Sequence, residues 1–226
     1  MDTIFNFGDP HKDFEPIAKS VLGEYNIYQI PITNNRVFCN DKVQIVDACY
    51  GPSMVLDSLS MLKAIGKIHK NEHLVFLGSM GSLTGKIDLN DIVIPSKIYC
   101  NYFEFKGKTL RPSENLKEKL ISVLNKIKIN FKQYNHGSVR AVFDPTTDHK
   151  DYTSSLYGQS VIGIDCSETY FGIDFCNKND MGGIALLYCS DDPKKHISDL
   201  SKEGFDARAL KFDKLLNSIA YKVLTK

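Results

Sequence analysis

The sequence predicts a single α/β domain, a three-layer sandwich with a central mixed β-sheet flanked by helices. Two observations predict this fold class. Nearly continuous apolar runs, typical of strands covered on both faces, alternate along most of the chain with segments whose apolar residues recur at helical spacing. No linker rich in proline or glycine and no internal repeat divides residues 1–226, so we expect one domain.

The individual elements follow from these two patterns. Strands are predicted at the apolar runs Thr3–Phe7, Val43–Cys49, Leu74–Leu77, Asp91–Pro95, Val161–Ile164 and Gly183–Cys189. Helices are predicted where the periodicity is helical, at Asp13–Leu22, Ser53–Ile65, Asn115–Ile127, Ser167–Asn177 and Phe205–Leu224. The polar stretch Asp144–Ser155 is predicted to be a loop over a pocket.

Composition limits the partners and the compartment. Lys and Arg total 28 against 27 Asp and Glu, so the chain lacks the basic excess that binding to nucleic acid requires. No run of about 18 apolar residues and no cationic signal segment is present, which predicts a cytoplasmic protein without a membrane segment. The 6 cysteines form no CxxC pair, so we expect reduced thiols and no metal site.

Two segments place potential ligand-binding groups after a predicted strand. Gly78 and Ser79 begin a Gly-Ser-Met-Gly segment, in which glycines let backbone N–H groups approach an anion or a sugar oxygen. Ser190 and Asp191 follow the last predicted strand. That end of a strand is where α/β sheets bind ligands.

Two further segments each have two interpretations. Ser167 and Glu168 open a predicted helix and could simply be an N-cap and a first-turn acid favoured by the helix dipole. The Gly-Asp-Pro-His segment from Gly8 to His11 resembles the first metal-ligand motif of calcineurin-type metallophosphoesterases. The later motifs of that two-metal site do not occur in the sequence, and the other histidines, at positions 69, 73, 136, 149 and 196, stand isolated.

Taken in order, the four segments resemble the nucleoside phosphorylase and nucleosidase superfamily, which includes hexameric purine nucleoside phosphorylases, uridine phosphorylases and methylthioadenosine nucleosidases. The Gly-Asp-Pro phosphate loop of the family resembles residues 8–10, and its glycine loop and following strand resemble residues 78–81 and 90–94. The resemblance implies cleavage of the N-glycosidic bond of a nucleoside, with purines favoured. It also implies no cofactor and a homo-oligomer, either a dimer or a hexamer.

The resemblance assigns residues to the base and the ribose. Asp191, together with Ser190, would donate a proton or a hydrogen bond to N7 of a purine. Glu168 would accept hydrogen bonds from the 2′- and 3′-hydroxyls of the ribose, beside Ser167, which stands where the family has methionine. Phe143 is a candidate to stack on the base, although a buried core position is equally consistent with a phenylalanine.

The nucleophile side departs from the family pattern. The resemblance places Gly8, Lys12, Gly78 and Ser79 around the phosphate or the attacking water. Phosphorylases of this family bind phosphate with arginines, but here Lys12 and Phe76 occupy two of those positions. The loss of guanidinium groups slightly favours hydrolysis over phosphorolysis.

Two alternatives to this hydrolytic interpretation stay open. A third phosphate-binding arginine has no clear match, and the nearest, Arg36, is out of register. Phosphorolysis, with inorganic phosphate as the co-substrate, is the first alternative function. A non-catalytic nucleoside-binding protein is the second, but the presence of both Glu168 and Asp191 argues against it.

Overall fold

The computed structural model describes residues 1–7, 14–47, 52–82, 86–100, 108–138, 161–165, 168–192, 197–198 and 205–226. Its strands are β1 (Asp2–Asn6), β2 (Asn26–Gln29), β3 (Arg36–Cys39), β4 (Val43–Asp47), β5 (His73–Ser82), β6 (Ile92–Cys100), β7 (Thr109–Leu110), β8 (Phe131–Ser138), β9 (Val161–Asp165), β10 (Gly182–Asp192) and β11 (Ile197–Ser198). Its helices are α1 (Glu15–Leu22), α2 (Pro52–Ala64), α3 (Glu114–Lys126), α4 (Glu168–Lys178) and α5 (Phe205–Leu224).

The strands form one mixed sheet in the order β11-β10-β6-β8-β9-β5-β1-β4-β3-β2, with β7 beside β6. β1 lies parallel to both β4 and β5, whereas β2, β3 and β4 pair antiparallel. β10 pairs with β5 as well as with β6, so that β5, β10, β6, β8 and β9 close into a ring. The mixed sheet predicted from the sequence is therefore confirmed, and part of it closes on itself.

Two hydrophobic cores cover the two faces of the sheet. α2 and α4 pack on one face, and α1, α3 and α5 pack on the other. Along β5, Leu74 and Phe76 belong to the first core, while Val75 and Leu77 belong to the second. Strands buried on both faces cannot alternate apolar with polar residues, which explains the continuous apolar runs in the sequence.

A buried polar contact fixes α5 against the sheet. The Asn217 side chain on α5 donates a hydrogen bond to Asn6 Oδ1 on β1, with an N···O distance of 2.8 Å. Asn6 Nδ2 in turn donates to the backbone oxygen of Val46 at 3.1 Å. Both asparagines are buried, so their amides satisfy each other where water has no access.

All of the strands and helices predicted from the sequence are present, with shifted ends. Two ends were predicted wrongly in a way that matters for the site. β5 runs through Ser82 and β10 runs through Asp192, so the Gly-Ser-Met-Gly segment at 78–81 and the Ser190–Asp191 pair lie within their strands and do not follow them. β2, β3, β7, β8 and β11 were not predicted, because they are short or, as in β8, carry polar residues.

A substitution at Gly172 on α4 would show how closely that helix packs on the sheet. An added Cβ would lie 2.8 Å from the ring of Phe76, which is fully buried. We expect Gly172→Ala to lower the free energy of unfolding by about 1–3 kcal/mol, as overpacked cores do. Denaturant unfolding measures the change.

The control is Asn177→Ala on the exposed side of the same helix, which should change stability by less than about 0.5 kcal/mol. Equal stability of Gly172→Ala and the control variant would contradict the close contact between α4 and β5.

Candidate active site

Three of the motif segments meet at the carboxyl-terminal end of β5. In the strand register, Gly81 lies beside Asp191 of β10 on one edge and beside Ile164 of β9 on the other. Glu168 starts α4 three residues after β9 ends at Asp165. The glycine segment, the Glu168 segment and the Ser-Asp pair, which are far apart in sequence, are therefore neighbours in the fold.

The same register reveals a gap along β5. On the edge opposite β10, β1 pairs with β5 up to Leu77, and β9 pairs with it from Gly81 onward. Among the described residues, no strand occupies this edge between those two positions. Residues 78–80 lie at this gap, and Ser79 among them is partly exposed. A place where neighbouring strands diverge is where α/β sheets form ligand crevices.

Ser190 lies at an irregularity of β10. The pairing of β10 with β5 shifts register between Cys189 and Asp191, so the irregularity falls at Ser190. Its side chain is buried, and its Oγ donates a hydrogen bond to the Met80 backbone oxygen at 3.4 Å. Such bulges redirect the residues that follow them. The side chain of Asp191 lies outside the described part of the structure.

Glu168 is the first residue of α4, and its side chain is only 3% exposed. An acid whose sole role is to stabilise a helix start can remain in water, so the burial of Glu168 favours a more specific role. The next residue, Thr169, donates its backbone N–H to Asp165 Oδ2 at 3.0 Å. Asp165 thus caps this helix N–H; Ser167, predicted as the N-cap, lies outside the described residues.

Gly78 and Phe76 lie beside the end of β1. A Cβ on Gly78 would lie 2.8 Å from the Phe7 backbone oxygen, so glycine allows β1 and β5 to approach closely there. The rings of Phe7 and Phe76 stack, with centroids 5.5 Å apart. The position where the family has an arginine therefore holds a core aromatic ring. Ser79, by contrast, is partly exposed.

Arg36, the nearest arginine to the third phosphate position, has a partner of its own. Its Nη2 lies 2.7 Å from Asp47 Oδ2 across β3 and β4. Its guanidinium also lies 5.4 Å from the centre of the Phe38 ring. Gly8, Lys12, Phe143 and the predicted loop at 144–155 lie outside the described residues, as does the Gly-Asp-Pro-His segment.

The sequence interpretation missed a buried polar cluster beside Glu168. Tyr134, His136 and Ser138 alternate along one side of β8, and all three are buried. Ser138 Oγ donates to Asp165 Oδ1 at 2.9 Å, and His136 Nε2 lies 3.1 Å from Asp165 Oδ2. His136, which stands isolated in the sequence, therefore has polar partners in the fold. The two-residue spacing of these polar side chains in the sequence was the signal that could have indicated the cluster.

The environment of Asp165 stabilises its charged form. Burial alone would raise its pKa, but the nearby His136 imidazole and the hydrogen bond from the Thr169 backbone outweigh burial and lower the pKa below its usual value. Burial, reinforced by the Asp165 charge, raises the pKa of Tyr134 well above its usual value. The cluster thus combines an ionised carboxylate with a neutral phenol.

The described residues contain no group of three or more His, Cys, Asp or Glu side chains that could hold a metal ion. They also contain no helix with the length and hydropathy needed to cross a membrane.

No family model matches the sequence, and no curated protein matches it either. Purine nucleoside phosphorylase from Toxoplasma gondii in complex with immucillin-H is similar in structure, with a TM-score of 0.77 at 12% identity, covering 98% of this chain and 90% of that one. The 5′-methylthioadenosine/S-adenosylhomocysteine nucleosidase of Campylobacter jejuni gives 0.74 at 12% identity, with 99% and 98% covered. Futalosine hydrolase of Helicobacter pylori gives 0.68 at 18% identity, with 97% of each chain covered. The resemblance predicted from the sequence is confirmed at the level of the fold.

The lowered pKa of Asp165 predicts how stability changes with pH. Because the folded pKa lies below the unfolded value of about 4, the stability from this carboxylate is present above about pH 4 and is lost as the pH falls through the folded pKa. We expect Asp165→Asn to lower the free energy of unfolding by about 3 kcal/mol at pH 7, since it breaks a buried pair. Below pH 4 the difference from wild type should shrink.

Urea unfolding between pH 3 and 7 measures this difference. The control is Asp174→Asn on α4, which removes a carboxylate 2.6 Å from the exposed Lys178 and should cost under about 1 kcal/mol. A difference between Asp165→Asn and wild type that stayed constant over the whole pH range would contradict the assigned pKa direction.

Proposed function

We propose that this chain, which has the fold of nucleoside phosphorylases and nucleosidases, is an enzyme that cleaves the N-glycosidic bond of a nucleoside. The observation that carries the proposal is the register at the end of β5. It places Gly81 between Asp191 and the strand that leads to Glu168, beside the gap lined by residues 78–80. A nucleoside has two parts, a base and a sugar, and this arrangement offers an acid to each.

The chemistry of the reaction requires two such acids. When the bond between C1′ and the base nitrogen breaks, positive charge develops on the ribose and negative charge on the leaving base. Asp191 is proposed to protonate the leaving base, N7 being the acceptor in a purine, with Ser190 holding the strand beside it. Glu168 is proposed to accept hydrogen bonds from the ribose hydroxyls and to stabilise the cationic sugar.

The burial of Glu168 supports its proposed role. Its side chain is 3% exposed and starts a helix whose first turn is tied to Asp165. Hydrogen bonds to a charged group are stronger in a site shielded from water than in solution. A carboxylate fixed in this way can discriminate a sugar that carries the 2′- and 3′-hydroxyls from one that lacks them.

Water is the proposed nucleophile. Its oxygen forms the new bond to C1′ as the bond from C1′ to the base breaks, and the base leaves with the proton supplied by Asp191. The proton that the water loses returns through solvent to the Asp191 carboxylate, so that free ribose and free base result. The stacking of Phe76 on Phe7 supports this choice, because an apolar ring there offers no charge to a phosphate. No cofactor takes part in these steps.

Phosphorolysis is the second candidate, favoured by the structural similarity to a purine nucleoside phosphorylase. Gly8, Lys12, Gly78 and Ser79 would then contact phosphate, which would attack C1′ in place of water. In both reactions Phe143 is proposed to stack on the base. A homo-oligomer in the cytoplasm, a dimer or a hexamer, is part of the same proposal, and light scattering would determine its size.

Asp191→Asn tests the proposed acid. We expect it to lower turnover at least about tenfold, because an amide cannot donate the proton that a carboxylic acid supplies. Turnover would be measured on inosine, adenosine, uridine and methylthioadenosine, with Asp174→Asn as the matched control. Unchanged turnover would rule out the role of Asp191, and nucleoside binding without cleavage by the wild type would indicate the non-catalytic alternative.

A phosphate-free assay tests the nucleophile. We expect cleavage to proceed in phosphate-free buffer and to yield free ribose, since Lys12 and Phe76 replace the arginines that would bind phosphate. Chromatography of the sugar product distinguishes ribose from ribose 1-phosphate. A strict requirement for phosphate, with ribose 1-phosphate as product, would show that phosphorolysis is the reaction.

A further inference from the structure

We infer that a chain of buried side chains, Asp165, His136, Tyr134 and Met80, is a positioning network that holds the two ends of the candidate active site in fixed relation. We call it the ring network, because its members lie on strands of the closed ring described above. The inference rests on the proposed function, in which Glu168 binds the ribose and Asp191 binds the base.

The first end of the ring network holds the start of α4. Asp165 Oδ2 accepts the backbone N–H of Thr169 at 3.0 Å, and Asp165 Oδ1 accepts from Ser138 Oγ at 2.9 Å. His136 Nε2 lies 3.1 Å from Asp165 Oδ2. A carboxylate held from three sides fixes the first turn of α4, which carries Glu168.

The second end reaches the strand that carries Asp191. His136 Nδ1 and the Tyr134 hydroxyl are 2.7 Å apart, and the same hydroxyl lies 3.0 Å from Met80 Sδ. The Met80 backbone oxygen accepts the hydrogen bond from Ser190 Oγ at 3.4 Å. Ser190 immediately precedes Asp191, so an unbroken series of contacts joins the two proposed functional segments.

Gly163 makes the central contact possible. Tyr134 is on β8 and Met80 is on β5, and β9 lies between these strands in the sheet. A Cβ on Gly163 of β9 would lie 2.5 Å from Met80 Cε and 2.6 Å from Tyr134 Cε2. The two side chains therefore meet across the position where β9 has no side chain, and the ring network depends on that glycine.

His136 is the link between the two halves. It is fully buried, and its two ring nitrogens face different partners, Asp165 and Tyr134. The Tyr134 hydroxyl carries one proton and can donate to only one of its two neighbours, so the arrangement of protons at one end affects the contact at the other. A rigid imidazole between two fixed partners transmits position more directly than a flexible apolar side chain.

The first experiment needs no substrate. Hydrogen exchange followed by mass spectrometry would be measured on wild type, Tyr134→Phe and Met80→Leu, the second a nearly volume-conserving change expected to cost under about 1.5 kcal/mol. We expect both variants to exchange faster than wild type at the start of α4 and around Ser190. The control, Tyr28→Phe, removes a hydroxyl that donates to Gln44 Oε1 at 2.7 Å, and it should leave both segments unchanged.

The second experiment measures the preference for ribonucleosides. The ratio of kcat/KM for a ribonucleoside to that for its 2′-deoxy analogue should fall about threefold or more in Tyr134→Phe, mainly through kcat, because a displaced Glu168 contacts the 2′-hydroxyl less well. In a Glu168→Gln background, Tyr134→Phe should lower the ratio no further, since both changes remove the same interaction. Tyr28→Phe should retain the wild-type ratio.

The outcomes separate the two proposals. A wild-type ratio in Glu168→Gln would refute the ribose role of Glu168 and leave the exchange result to decide on the ring network. A lowered ratio in Glu168→Gln with a wild-type ratio in Tyr134→Phe would overturn the positioning role. Unchanged exchange at both segments in Tyr134→Phe and Met80→Leu would overturn it whatever the protein's activity.

Discussion

The pairing of β5 with three other strands is the constraint on which the candidate site depends. β10 pairs with it along one edge over nearly its whole length, while β1 and then β9 succeed each other along the other edge. Because β1 stops pairing before β9 begins, residues 78–80 have no strand beside them on that edge, and Ser79 among them is partly exposed. The position of the gap and the placement of Ser190 and of the segment before Glu168 thus follow from one set of backbone hydrogen bonds.

The parts of the fold that could be predicted from the sequence are those in which burial dictates residue type. β5 and β10 are covered on both faces by the two cores, so their apolar runs are continuous and easily recognised. β8 could not be found in this way, because its buried side chains include Tyr134, His136 and Ser138. Polar side chains can be buried only when partners satisfy them, and those partners come from strands distant in the sequence.

The candidate site, like the fold, could be predicted only in part from the sequence. The order of the four motif segments predicted Glu168 and the Ser-Asp pair as site residues, and the strand register brings their segments together beside Gly81. The environment of Glu168 could not be predicted, because it depends on Asp165 accepting the N–H of Thr169 and on His136 reaching Asp165 from another strand. Local sequence near Glu168 offers Ser167 as a cap but gives no indication that the Asp165 carboxylate accepts the Thr169 N–H.

The two sides of the site also differ in how they are held. The start of the helix that carries Glu168, the proposed sugar-binding residue, is held by buried polar contacts of Asp165. On the proposed nucleophile side, Phe76 is held by apolar contacts, stacked on Phe7 and packed where Gly172 of α4 has no side chain. Restoring an arginine at position 76 would therefore put a charge into the core that supports the helix carrying Glu168, at a cost of several kcal/mol. The absence of a guanidinium at position 76 is therefore tied to the packing of α4, so the proposed choice of nucleophile and the position of Glu168 depend on the same core contacts.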